Sequence, residues 1–141
     1  MRLNPHLAFD GRCREAFEFY KRCLGGEILT MLAYGDSPMS EQAPAEWRGK
    51  ILHATLTVDG NIVLYGADAM PGAYQPPRGF HLAVAIKEPA EAERVFRELA
   101  ENGTVQMPLQ KTFWAVLFGM VTDRFGVSWE INCEQAPPSP S

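Results

Sequence analysis

Apolar residues recur at helical spacing twice along this chain, and most of the sequence between follows the two-residue alternation of strands. Leu3 to Phe9 reads as a short extended segment, with Pro5 blocking a helix there. Gly11 opens the first helical stretch, where Cys13, Ala16, Phe17, Tyr20, Cys23 and Leu24 fall on one face; Gly25-Gly26 ends it. Glu27 to Tyr34 reads as a strand and Gly35 to Gly49 as a loop. Lys50 to Val58 and Asn61 to Gly66 form a hairpin joined at Asp59-Gly60. Residues 67–79 carry three prolines and two glycines, the composition of a linker. The same order then begins again. Phe80 to Ile86 is a strand, Pro89 opens a helix whose apolar face is Ala92, Val95, Phe96 and Leu99, and Asn102-Gly103 closes it. Thr104 to Leu109, Phe113 to Thr122 and Val127 to Cys133 are three more strands.

This pattern predicts an α+β fold of two tandem βαβββ modules, with eight main strands and helices near residues 12–24 and 89–102. The modules span 1–66 and 80–134, the linker 67–79, and the Pro/Ser-rich segment 135–141 is expected to be disordered. The repeat is also visible in letters. His6-Leu7-Ala8 returns as His81-Leu82-Ala83, Glu15-Ala16 as Glu91-Ala92 one residue out of step, and Gly26 as Gly103. Recurrence at matching points of like-ordered modules points to duplication.

Strand alternation sorts the side chains into two faces. Leu7 and Phe9 share a face, as do Phe80, Leu82, Val84 and Ile86, and as do Val127, Trp129, Ile131 and Cys133. These bulky faces should pack on the helices. The opposite faces are small or polar and carry His6, His81 and Glu130, which describes a small-molecule pocket. Two imidazoles and a carboxylate suit a divalent ion such as Zn, Ni, Mn or Fe; the plainer alternative is a pair of hydrogen-bonded pocket histidines and a solvated glutamate. His53 shares a face with Thr55 and Thr57 and is a further pocket candidate; Tyr65 and Trp114 are two more. Cys13 sits near a helix start, where a thiol pKa is lowered, but packing is its simpler role. Asp123-Arg124 reads as a turn with an ion pair, and Met39 and Trp47 lie in the long loop.

Composition narrows the partners. The net charge is -4 with no long Lys/Arg cluster, so the basic footprint that nucleic acid requires is missing. The longest apolar run, Phe113 to Val121, is far short of the ~20 residues of a membrane helix, and MRLNPHLAF lacks the apolar stretch of a signal peptide. Three cysteines without a CxxC pair fit reduced thiols and a cytoplasmic location.

HLAFDG followed by CREAFEFY, MPLQ with Phe113-Trp114, and FGM running through TDRFGVSW resemble the PhnB-like, glyoxalase-related branch of the vicinal-oxygen-chelate superfamily. The resemblance covers about residues 3–134. It implies a curved, cup-shaped mixed sheet with helices on its outer face, a homodimer, and a pocket for a small ligand. Members of the branch carry glyoxalase-like or methyltransferase labels, but no GxGxxG-type loop follows a strand here, and no organic cofactor site is assigned. Glyoxalase-type members hold metal with four residues, one from the first and last strand of each module. His6, His81 and Glu130 match three. The fourth falls at Val63, Leu64 or Tyr65, none of them acidic, which argues against glyoxalase I activity. Two functions remain. One is a metal-dependent enzyme, of lyase, isomerase or dioxygenase-like type, with unassigned catalytic residues. The other is a metal-free ligand-sequestering protein of the bleomycin-resistance kind.

Overall fold

The computed structural model describes residues 1–134, so the expected disorder of 135–141 lies outside the described residues. Two compact units emerge, Met1–Pro76 and the residues from Pro77 on. Each holds one four-stranded mixed sheet and one helix, the expected α+β pair of βαβββ modules. The first contains β1 (His6–Phe9), α1 (Cys13–Leu24), β2 (Glu27–Ala33), β3 (Ile51–Val58) and β4 (Asn61–Asp68) in the order β1-β4-β3-β2. The second contains β5 (Leu82–Ile86), α2 (Pro89–Ala100), β6 (Thr104–Gln110), β7 (Ala115–Thr122) and β8 (Ser128–Glu134) in the order β5-β8-β7-β6. In both, the first strand runs parallel to the last and the other neighbours are antiparallel.

Local chemistry explains most boundaries. Gly25 closes α1 in the left-handed conformation at φ 70°, and the Gly26 N–H returns to the Lys21 carbonyl. Asp59 and Gly60 take φ 52° and 79°, the paired positive values of a two-residue hairpin turn. Pro89 opens α2. β2 ends at Ala33, one residue short of the expected Tyr34, and the loop that follows carries two short 3₁₀ turns, Tyr34–Asp36 and Ala45–Trp47.

The face assignments largely hold. Leu7 and Phe9, and in β8 Trp129, Ile131 and Cys133, are buried. Leu82, Val84 and Ile86 are half-buried. Phe80 departs from the expectation. It lies before β5 and is exposed, because the chain joins the parallel ladder with β8 only at Leu82. β4 runs on to Asp68, past the expected end at Gly66.

The two modules fill the layer between helix and sheet in complementary ways. In the first, α1 supplies Phe17, wholly buried, and β4 supplies Gly66. A Cβ at Gly66 would lie 2.4 Å from the Phe17 ring. In the second, the same place on the last strand is Trp129, buried, while the helix position matching Phe17 is the exposed Glu93. At this matched place the large ring comes from the helix in the first module and from the strand in the second.

Candidate functional site

In the first unit Ala54, Leu56, Leu64 and Gly66 are buried on the helix side of the sheet. Their neighbours therefore turn to the other face. Register sets His6 beside Tyr65 and Ala8 beside Ala67 across the parallel pair, and Thr55 beside Tyr65 across the hairpin. Carrying the Ala54–Gly66 pair one residue further puts His53 beside Ala67. Two rows result on the helix-free face: His6, Tyr65 and Thr55, then Ala8, Ala67 and His53. Polar side chains thus surround two methyl groups.

The polar groups are held to one another. The His53 and Tyr65 rings stack at 5.8 Å with 28° between planes, and His53 Nε2 lies 3.2 Å from Thr55 Oγ1. Thr55 is only 3% exposed, whereas His6 is exposed and His53 and Tyr65 are half-buried. Of the expected site residues, the fold therefore brings His6, Tyr65 and His53 onto one face of one sheet.

The second unit carries the others. Glu130 is half-buried on the helix-free face, beside Ala83 of β5 and Met120 of β7. His81 is exposed and precedes β5. Trp114, just before β7, packs edge-on against Phe113 at 4.7 Å and Phe118 at 5.4 Å. Within each unit, among the described residues, no group of three or more His, Cys, Asp or Glu is placed to hold a metal ion.

Register identifies the position in the first unit that matches Glu130. Ala8 corresponds to Ala83 through the repeated tripeptide, and the residue beside Ala8 is Ala67. None of the three positions considered from sequence is the match. Leu64 faces the helix, Val63 is an extra residue between the Ile62 and Leu64 pairs, and Tyr65 matches Ser128. Counting from the turn glycine fails because the first hairpin carries this bulge and extends further beyond the shared rows. The repeated His-Leu-Ala, combined with parallel pairing, was the signal that could have found Ala67.

Two buried carboxylates support these faces. Asp68, 1% exposed, accepts the Gly11 and Cys13 N–H groups at 2.9 Å and the Ile51 N–H at 2.8 Å. Asp123 accepts the Phe125 and Val127 N–H groups at 2.7 and 3.1 Å and the Trp129 indole at 2.8 Å. Asp123 and Arg124 do share a turn, but the ion pair joins Arg124 to Glu101 at 3.5 Å. Cys13 shows no activation. Burial pushes its thiol well above the ordinary value, and the adjacent Asp68 charge adds to this. The site α1 might have offered a thiolate is taken by the Asp68 carboxylate.

Known proteins share this fold. The profile of the Glyoxalase/Bleomycin resistance protein/Dioxygenase superfamily matches residues 2–131. The chain is 38% identical over 147 residues to protein YjdN of Escherichia coli K12, covering 99% of both. Among solved structures it is similar to protein PA1353 from Pseudomonas aeruginosa, with 48% identity, TM-score 0.87, and 96% and 99% of the two chains covered. It is also similar to the PhnB protein from Bacillus cereus, with 26% identity, TM-score 0.74, and 94% and 98% covered. No described helix is long and apolar enough to cross a membrane. Profile, sequence and structure agree that the chain belongs to the glyoxalase/bleomycin resistance protein/dioxygenase superfamily, with PhnB-like relatives.

Proposed function

We propose that the chain binds a small organic molecule on the helix-free face of its first sheet, and does so without a metal ion. The observation that supports this is the mismatch between the two last strands. Where β8 sets Glu130 beside Ala83, β4 sets Ala67 beside Ala8, and the neighbour of His6 is the phenol Tyr65. A methyl group offers a divalent ion nothing, so the residues present do not fit a four-ligand centre, and no reaction step is derived through one. What the face does offer is imidazole and phenol groups beside an apolar floor of Ala8 and Ala67, the composition of a small-molecule site.

The test is direct. Protein purified without chelators should carry far less than one equivalent of Zn, Ni, Mn or Fe. Titration with each ion should show no saturable binding that His6→Ala, His81→Ala or Glu130→Gln removes. One tightly held ion per chain, lost in those variants, would overturn this reading in favour of His6, His81 and Glu130 as ligands.

The same reading includes a homodimer. Among the described residues β2 and β6 are edge strands of their sheets, and each carries an exposed apolar side chain, Leu29 and Val105. Uncovered edges of that kind invite pairing. Light scattering at micromolar concentration should give about twice the 15.7 kDa of one chain; a mass of one chain across the dilution range would exclude the dimer.

A further inference from the structure

We propose that the ligand of the first sheet is a small organic carboxylate, gripped by the His53 Nδ1–H and the Tyr65 phenol, with Thr55 as the positioning residue that fixes the His53 tautomer. The proposal deepens the metal-free reading above and rests on it.

Thr55 is only 3% exposed, and a hydroxyl hydrogen in such a residue is costly to leave without an acceptor. Among the described residues the one partner this hydroxyl has is His53 Nε2, at 3.2 Å. The hydroxyl hydrogen is therefore assigned to this contact, with Thr55 donating and Nε2 accepting. A neutral imidazole carries a single ring proton, so that proton falls on Nδ1. Stacking on Tyr65 at 5.8 Å and 28° then fixes the ring plane. Nδ1 has no partner among the described residues, and neither does the Tyr65 hydroxyl.

The site thus presents donors. His53 Nδ1–H and the Tyr65 O–H lie on adjacent strands, and His6 stands beside Tyr65 in the same row. No Asp or Glu sits within the two rows. The nearest in the alternation of the first strand, Asp10, follows β1 and is paired with Arg12 at 3.2 Å. Donors on neighbouring strands, without a competing anion, match the two acceptor oxygens of a carboxylate. The Ala8 and Ala67 methyls leave room for its apolar part.

Imidazole nitrogen NMR on isotope-labelled protein tests this, since His6, His53 and His81 are the three histidines and each is assigned by a single substitution. In ligand-free, metal-free protein, His53 should be the Nδ1–H tautomer, and Thr55→Val should move it toward Nε2–H. Benzoate should shift the His53 and His6 signals saturably and leave His81 alone, whereas neutral benzyl alcohol should shift none. Thr55→Val and Tyr65→Phe should each weaken benzoate binding about fivefold to tenfold, the effect of about one hydrogen bond. An Nε2–H tautomer in the parent protein, equal response to both probes, or shifts without saturation would each overturn the proposal. The tautomer is read before any ligand is added, and the metal assay is separate. Loss of the metal-free reading and loss of this inference are therefore seen in different experiments.

Discussion

Asp68→Ala should destabilise the first unit by about 3–5 kcal/mol, because it leaves several buried N–H groups without an acceptor. Helix α1 has no local side-chain cap; its N-cap residue, Arg12, makes no such bond. The acceptor arrives instead from the end of β4, more than fifty residues along the chain, where one Asp68 oxygen takes the Gly11 and Cys13 N–H groups. The second oxygen takes the Ile51 N–H at the start of β3. The Asp68 carbonyl meanwhile accepts the buried Tyr34 hydroxyl at 2.8 Å. One side chain thus ties helix start, central hairpin and loop together. For a chain of this size the loss corresponds to a fall in Tm on the order of 10–20 °C, measured by circular dichroism. Asp68→Asn should be almost as harmful, since its amide keeps one acceptor but turns a donor on either the α1 or the Ile51 N–H. Wild-type stability of Asp68→Asn would show that the carboxylate's second oxygen is dispensable.

The secondary structure was legible in the sequence because it depends on short-range signals. Helical spacing marked Ala16, Phe17 and Tyr20, alternation marked Trp129 and Ile131, and the Asp59-Gly60 and Gly25-Gly26 pairs marked turn and cap. The duplication was legible because tripeptide, helix and glycine recur in step. The features without a local signal depend on pairing between distant segments. A bulge at Val63 and the greater length of the first hairpin together move the Glu130 counterpart to Ala67, which no count from a turn reveals. Asp68 stood in a Pro/Gly-rich stretch that reads as linker, and nothing local says that its carboxylate reaches α1. Phe80 continued an apolar alternation whose ladder had not yet begun. Placement of His6, Tyr65 and Thr55 in one row likewise needed the register, although each residue had been marked singly.

Gly26→Ala and Gly103→Ala should each cost about 3 kcal/mol, far more than Gly25→Ala, which should cost about 1 kcal/mol. The contrast separates two reasons for a glycine that sequence alone confuses. Gly25 sits at φ 70° with open space around it, so an added methyl meets only the left-handed backbone penalty. Gly26 has no positive φ, but its Cβ would lie 2.4 Å from the Thr57 carbonyl oxygen. Gly103, its counterpart after α2, would place a Cβ 2.4 Å from the Thr122 carbonyl oxygen. Both obstacles are backbone of the adjacent strand, held in its ladder by the last strand of the module, so neither can swing aside as a side-chain end would. The helix-to-strand connection must pass this close because β2 and β6 pair with β3 and β7 from their first residues, Glu27 with Thr57 and Thr104 with Thr122. Relaxing the clash means parting that first pair, which frays the edge strand from its start. Urea denaturation of the three variants measures the difference. If Gly26→Ala proved no worse than Gly25→Ala, the connection would have room that the close approach denies, and the matched role of the two glycines would fall with it.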